Sequence, residues 1–192
     1  MSLPRPNFIV GIGGSAGALC AYKELLDALS SRTGMAFVII SHMNPAASSQ
    51  LALILQRHTK MPVTVAAMAM PIRANKIYVI PPDADLFIDD FNFKVVSPRS
   101  RRNAQVDLFL TSLAAAMGAY AVGIILSGMD GDGAAGCKQI KAMGGTTFAQ
   151  DSSAEVDAMP LSAQATGCID FVLSPAAMPS ELLKLVSTYK RA

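Results

Sequence analysis

The sequence predicts an α/β protein: a single-domain, doubly wound and mostly parallel sheet with helices on both faces and a small β-hairpin insertion. The first reason is order, because short apolar runs rich in β-branched residues alternate with longer stretches of helical spacing, as crossover units require. The second reason is composition, since hydrophobic residues make up 52% of the chain and charged residues 16%, which suits a sheet covered on both faces. A length of 192 residues without repeats or linkers predicts one domain, 1–192.

Each element is assigned from its local pattern, in chain order. Continuous apolar runs, often β-branched, predict strands at 7–12, 36–40, 63–66, 76–80, 121–126, 146–149 and 171–173. Apolar residues that recur three or four positions apart predict helices at 17–30, 48–58, 106–117, 134–143, 161–166 and 179–189. The runs 86–88 and 93–96 predict the hairpin, which turns at residues 89–90, and a basic loop, 97–103, follows it.

The turn after the first strand carries the first chemical signal. Gly13, Ser15 and Gly17 form a Gly-x-Ser-x-Gly pattern between a strand and a helix, which is the context of a nucleophile turn. Small residues let the backbone turn sharply, and a helix N-terminus favours developing negative charge beside the serine. The same stretch also fits a dinucleotide turn, Gly-x-Gly-x-x-Ala, or a plain glycine-rich turn. A dinucleotide fold needs an acid at the end of the second strand, where this chain has Ser41 and His42.

Three polar loops meet at the carboxyl edge of the predicted sheet, where such folds bind ligands. The loops carry Ser15, His42 and the acidic pair Asp130 and Asp132, so a serine, a base and an acid come to one edge. His42 ends an apolar strand, whereas His58 lies at a basic helix end, where the helix dipole accounts for it. The residues alone leave the choice of acid open, because Asp130 and Asp132 are each also suited to cap the helix 134–143.

Five ordered blocks of the sequence carry a resemblance to a known family. The blocks are 10–17 (VGIGGSAG), 38–43 (VIISHM), 77–82 (IYVIPP), 123–133 (GIILSGMDGDG), and 149–151 (AQD) with 159–160 (MP). Over nearly its whole length the chain resembles the catalytic domain of the CheB family, the chemotaxis protein-glutamate methylesterases. Because of residues 79–82 and 169–173, the chain is most similar to the form of this catalytic domain found in fused methylesterase–methyltransferase proteins.

The resemblance implies a role for each site residue. It makes Ser15 the nucleophile, His42 the base and Asp132 the orienting acid, because the family acid directly precedes the glycine that is residue 133 here. The backbone N–H groups near Ala16 and Met129 are the expected oxyanion donors. We expect no metal and no cofactor.

Three residues depart from the family pattern. Asp130 falls where the family usually has glycine, and its charge is expected to raise the pKa of His42. Ala16 and Ala18 replace residues that are often Thr and Gly. These departures keep an alternative open, a catalytically weakened binding or scaffold module of the same fold. A dinucleotide-binding oxidoreductase is the further alternative.

The activity implied by the resemblance is hydrolysis of glutamyl γ-methyl esters on chemoreceptors or related methyl-accepting signalling proteins. Deamidation of glutamine through the same acyl-enzyme is a second implied activity. The expected partners are methylated receptor helices and a separate regulator, since the chain is expected to hold the catalytic domain without a receiver or methyltransferase domain. Arg99, Arg101 and Arg102 either steer an acidic helix face or form a solvated loop.

Other features limit the class of protein. A net charge of +2 does not favour a nucleic-acid binder. The first residues carry no secretory signal, so we expect a cytoplasmic protein without membrane insertion. Cys20, Cys137 and Cys168 match neither a disulfide framework nor a zinc pattern, and they are predicted to be buried thiols in a reducing compartment.

Overall fold

The computed structural model describes residues 4–42 and 48–189, in which strands and helices alternate as the sequence predicts. The strands are β1 (Ile9–Gly14), β2 (Ala36–Ser41), β3 (Val63–Val65), β4 (Lys76–Val79), β5 (Asp85–Asp89), β6 (Asn92–Val96), β7 (Ala121–Ile125), β8 (Thr146–Gln150) and β9 (Phe171–Leu173). The helices are α1 (Ala18–Ala28), α2 (Ser48–Leu55), α3 (Gln105–Met117), α4 (Ala134–Ala142), α5 (Ala158–Gln164) and α6 (Met178–Tyr189). Met43, the last residue of the second block of resemblance, lies outside the described residues.

Seven of the described strands form one sheet in the order β3-β4-β2-β1-β7-β8-β9. Every neighbouring pair in that sheet is parallel, whereas β5 and β6 pair antiparallel as a separate hairpin. The chain passes from β1 to β2 on one side and later returns to β7 on the other, so the strand order reverses at β1. This arrangement confirms the predicted doubly wound sheet with a hairpin insertion.

Helices cover both faces of the sheet. α1, α2 and α6 share one apolar core with alternate strand residues such as Val10 and Ile12. α3, α4, α5 and the hairpin share a second core with the residues that point the other way, such as Ile9. Because the central strands are buried on both faces, they appear in the sequence as continuous apolar runs.

Glycines in β1 allow helix α3 to pack directly on the strand. A β-carbon at Gly11 would lie 2.6 Å from Leu110 Cδ2, and one at Gly13 would lie 2.4 Å from Val106 Cγ1. A side chain at either position would force the close-packed helix outward. The start of α3 is therefore held against the end of β1, and packing accounts for both glycines without a bound pyrophosphate.

Element boundaries differ from the prediction by a few residues. β1 includes Gly13 and Gly14, so the turn begins later than the glycines suggest. The helix predicted over 48–58 ends at Leu55 and continues as a short 3₁₀ turn. α5 begins before the predicted 161–166 because Pro160 falls in its first turn, where a proline costs no helical hydrogen bond.

The cysteines only partly follow the expectation. Cys137 is buried as predicted, whereas Cys168 is half-buried and Cys20 is exposed. The prediction of a buried thiol at Cys20 is wrong because α1 turns other residues to the core, among them Tyr22 and Leu25. Across 4–42 and 48–189, no helix has both the length and the hydropathy needed to cross a membrane.

Candidate active site

The strand register puts Ser15 and His42 at the same carboxyl edge of the sheet, since each follows the end of one of two paired strands. Gly14 at the end of β1 pairs with Ser41 at the end of β2, and the next residue, His42, donates its backbone N–H to Gly14 O at 3.4 Å. On the other side of β1, the Ser15 N–H donates to Ser127 O at 2.9 Å. Ser15 therefore lies between the loop that follows β2 and the loop that follows β7.

The turn at Ser15 has the shape that the sequence predicts. The Ala18 N–H donates to Ser15 O at 3.1 Å, and Gly17 has the left-handed φ of 72° that favours glycine. A β-carbon at Gly17 would lie 2.7 Å from Ser127 Oγ and 2.8 Å from Glu155 Cβ. Among the described residues no side chain forms a capping hydrogen bond with α1 at this turn.

His42 and Asp132 form a short hydrogen bond at the centre of the site. His42 Nε2 lies 2.5 Å from Asp132 Oδ2. The side chain of His42 is 6% exposed and that of Asp132 is fully buried. A charge-assisted bond of this kind is strong because water is excluded from it. The bond occupies Nε2, so Nδ1 is the ring nitrogen left for proton exchange with another group.

The carboxylate of Asp132 is held by the N-terminus of α3. Its Oδ2 accepts the Val106 N–H at 3.0 Å, and its Oδ1 accepts the Asp107 N–H at 2.8 Å. These N–H groups lie in the first helical turn, where they have no partner within the helix. The alternative interpretation of Asp132 as a cap for the helix that follows it is wrong, because it caps α3 instead.

Asp107 makes the reciprocal contact with α4. Its Oδ1 accepts the Gly133 N–H at 2.9 Å and the Gly136 N–H at 2.7 Å. Asp132 therefore caps α3, the helix in which Asp107 lies, and Asp107 caps α4, the helix that follows Asp132. Burial, with a smaller contribution from the charge of Asp132, raises the pKa of Asp107, although the hydrogen bonds from the N–H groups of Gly136 and Gly133 oppose the shift. Sequence reasoning missed this residue, since an acid in a first helical turn indicates only a helix start.

Asp130 brings a second carboxylate to His42. Its Oδ1 accepts the Asp132 N–H at 3.0 Å, and its Oδ2 lies 3.2 Å from His42 Nδ1. This is an ion-pair distance, although Nδ1 forms no hydrogen bond to a described residue. The imidazole ring therefore lies between two carboxylates, one at each nitrogen.

The two carboxylates determine the protonation of His42. Burial is the largest single influence and lowers the pKa of the ring, but the hydrogen bond to Asp132 and the charges of Asp132 and Asp130 together outweigh it. The pKa of His42 is raised as a result. The site thus holds an imidazole that gains a proton readily and stabilises the resulting cation.

The loop after β7 packs against the turn at Ser15 and against the segment that leads into α5. Ser127 Oγ lies 2.8 Å from Ala16 O and accepts the Val156 N–H at 2.9 Å. A β-carbon at Gly128 would lie 2.0 Å from Met159 Sδ and 3.1 Å from Ser15 Cβ. Sequence reasoning did not single out Ser127, because a serine after a strand has no distinctive pattern.

The other residues named from the sequence lie around this edge. Ala16 follows Ser15 in the turn, and Met129 extends from the loop after β7 with 73% of its surface exposed. Arg99 pairs with Asp83, with 3.4 Å between Nε and Oδ1, while Arg101 and Arg102 are exposed. The basic loop leads directly into α3, whose start binds Asp132.

In the part of the chain that the structure describes, no group of three or more His, Cys, Asp or Glu residues is arranged to hold a metal ion.

Comparison with known proteins gives consistent results. Residues 10–182 match the family model described as CheB methylesterase. A protein-glutamate methylesterase/protein-glutamine glutaminase of Hydrogenovibrio crunogenus is 31% identical over 93% of this chain, which spans only 49% of that relative's length. A putative protein of the same description from Leptospira interrogans is 30% identical over 85% of this chain and 86% of its own.

A solved structure shares the fold. The crystal structure of the Thermotoga maritima CheB methylesterase catalytic domain superposes with a TM-score of 0.85 at 26% sequence identity. The match covers 96% of this chain and 100% of the other.

Proposed function

This chain belongs to the CheB methylesterase family, and we propose that it hydrolyses glutamyl γ-methyl esters through Ser15, His42 and Asp132. The proposed substrates are methylated chemoreceptors or related methyl-accepting signalling proteins. The observation that carries this proposal is the 2.5 Å bond from His42 Nε2 to Asp132 Oδ2, made by a histidine that directly follows β2, the strand whose end pairs with the end of β1 just before Ser15. A base held by an acid next to a serine is the arrangement that activates a nucleophile.

The proposed first half-reaction forms an acyl-enzyme. Ser15 Oγ attacks the ester carbonyl while its proton passes to His42 Nδ1, the nitrogen that Asp132 leaves unbonded. Asp132 stabilises the imidazolium that results. The tetrahedral intermediate then collapses, the bond from carbon to the methoxy oxygen breaks, and the imidazolium gives its proton to that oxygen. Methanol leaves, and the glutamyl group remains attached to Ser15 as an ester.

The second half-reaction releases the product. Water attacks the acyl carbonyl and gives a proton to His42 Nδ1, and the bond from carbon to Ser15 Oγ breaks as Oγ regains a proton. The products are a glutamate side chain and free Ser15. Ala16 and Met129 are the proposed backbone donors to the oxyanion, each worth about 3 kcal/mol when well aimed. A glutamine side chain would enter the same sequence with ammonia as the leaving group.

The proposed partner is a helical, methylated segment of a receptor in the cytoplasm. The exposed Arg101 and Arg102 lie on the loop that enters α3, and the first N–H groups of α3 bind Asp132. Their charge is placed to attract an acidic helix face toward the site. A separate protein that regulates the activity is part of the same proposal.

A second candidate function is a binding module with weakened turnover. The specific observation in its favour is the carboxylate of Asp130 beside His42 Nδ1, because a ring that stays protonated cannot accept the proton of Ser15. The two functions differ in one assay, which measures methanol released from a receptor fragment carrying glutamyl methyl esters. Turnover by the native chain, absent from Ser15→Ala, supports the esterase, while binding of the fragment without methanol supports the module.

A further inference from the structure

The start of α3 and the start of α4 are tied together by two carboxylates. Asp132 accepts N–H groups of α3, and Asp107 accepts the N–H groups of Gly133 and Gly136 at 2.9 and 2.7 Å. Gly133 is the residue directly after Asp132 and has a φ of 98°. Any movement of its backbone therefore moves the residue that binds His42.

Close packing leaves this pair of helix ends little freedom. A β-carbon at Gly136 would lie 2.6 Å from Leu110 Cβ, and one at Gly133 would lie 2.4 Å from Ile125 Cδ1. The N-cap of α4 is Gly133, and it brings no side chain to its own helix. Asp107, in helix α3, supplies the missing acceptor. Its hydrogen bond fixes the backbone at Gly133, directly after Asp132.

The feature that matters at this position is an oxygen that accepts both N–H groups. Asp107 is partly buried near the charge of Asp132, which contributes to raising the pKa of its carboxyl. Its Oδ1 nevertheless accepts the N–H groups of Gly133 and Gly136. An acceptor oxygen at residue 107, rather than its negative charge, therefore fixes the start of α4.

We propose that Asp107 is a positioning residue for the esterase reaction, which acts through the backbone of Gly133 to hold Asp132 at His42 Nε2. The proposal rests on the function proposed for Ser15, His42 and Asp132. Asp107 does not touch the substrate. It sets the position of the acid on which the orientation of the histidine depends, and small displacements of such groups have large effects on rate.

The test compares three variants in the full chain. Asp107→Ala removes the acceptor, whereas Asp107→Asn keeps an oxygen for the Gly133 N–H. Asp170→Ala is the matched control, because Asp170 likewise accepts a backbone N–H, that of Thr147 at 3.0 Å, and lies on the approach to β9. We measure kcat and KM on the methylated receptor fragment, the melting temperature, and the ring ¹H and ¹⁵N resonances of His42, with His58 as the internal reference.

For Asp107→Ala we expect kcat to fall about 10- to 100-fold with little change in KM, because the acid is displaced while substrate binding is not. The His42 Nε2–H resonance should move and that of His58 should not. Asp107→Asn should recover most of the lost rate, and Asp170→Ala should lower only the melting temperature.

An Asp107→Ala protein that resembles Asp170→Ala in kcat and in the His42 resonances overturns the proposal. A native chain that releases no methanol overturns the proposed function instead. In that case the His42 resonances still report whether Asp107 positions Asp132, so the two failures are distinguishable.

Discussion

The Oδ2 atom of Asp130 lies 3.2 Å from Nδ1 of His42, the ring nitrogen that Asp132 does not bind. This places a negative charge at the nitrogen proposed to accept the proton of Ser15. The resemblance to the CheB family leads us to expect glycine at position 130, so the carboxylate is a departure from that expectation. Its effect follows from its sign, because an anion at Nδ1 favours the protonated ring.

The variant Asp130→Gly should shift the rising limb of kcat/KM toward lower pH. The base must be neutral to act, and removal of the anion lowers the pKa at which His42 becomes neutral. Because the side chain of Asp130 is 26% exposed, the shift should shrink as salt is added, with a screening length of about 10 Å at 0.1 M.

Asp130→Asn is the matched variant, since it removes the charge and keeps an oxygen for the Asp132 N–H. A pH profile unchanged from the native one in both variants at low salt would mean that the charge of Asp130 has no part in the reaction.

The variants Ser15→Ala and His42→Ala should each lose about two to four decades of esterase rate. The double variant should be no slower than the worse single variant, because the two residues are proposed to act as one unit. Steady-state rates of methanol release from the receptor fragment measure all three. Losses that add in the double variant would show that the residues contribute independently.

Asp132→Asn should lower the rate by about 10³- to 10⁴-fold, because an amide cannot stabilise the imidazolium and favours the wrong tautomer. The structure adds an expectation for stability. The amide nitrogen would face either Val106 N–H or Asp107 N–H as a second donor, which should cost about 1–3 kcal/mol of unfolding free energy.

Urea denaturation and rate measurements on Asp132→Asn and Asp130→Asn distinguish the roles of the two aspartates. Activity that survives in Asp132→Asn and disappears in Asp130→Asn would reverse the assignment of the orienting residue.

The free energy of unfolding should decline as the pH rises through the folded-state pKa of His42. The sign follows from the raised pKa, since stabilisation by the charged ring is complete below the unfolded value of about 6.5 and is lost above the folded value. His42→Gln should remove this decline, while His58→Gln, which leaves the site intact, should retain it. An equal decline in native protein and His42→Gln would assign the effect to another group.

The sequence predicted the fold well because its signals were local. The apolar run that ends before Ser15 and the run that ends before His42 are strands in the structure, and their parallel register puts the two residues at the same edge of the sheet. The helix start at α5 was less predictable, because a proline at residue 160 indicates either a boundary or a first turn.

The contacts of the acidic loop were beyond prediction from sequence. Two aspartates separated by one residue, Asp130 and Asp132, have the same local pattern, and only the packing of α3 against β1 decides which carboxylate is buried. The hydrogen bonds of Asp107 link it to Gly133 and Gly136, which lie 26 and 29 residues later in the chain. The spacing of apolar residues in the sequence does not predict such a contact, since it depends on the relative positions of the starts of two helices.

Covalent labelling tests the central assignment of Ser15 as the nucleophile. The native chain is treated with a serine-directed fluorophosphonate, and the modified peptide is located by mass spectrometry. We expect modification at Ser15, with none in Ser15→Ala and a much slower reaction in His42→Ala, because the base activates the hydroxyl. An unmodified native chain, or a label on another serine such as Ser127, would contradict the assignment.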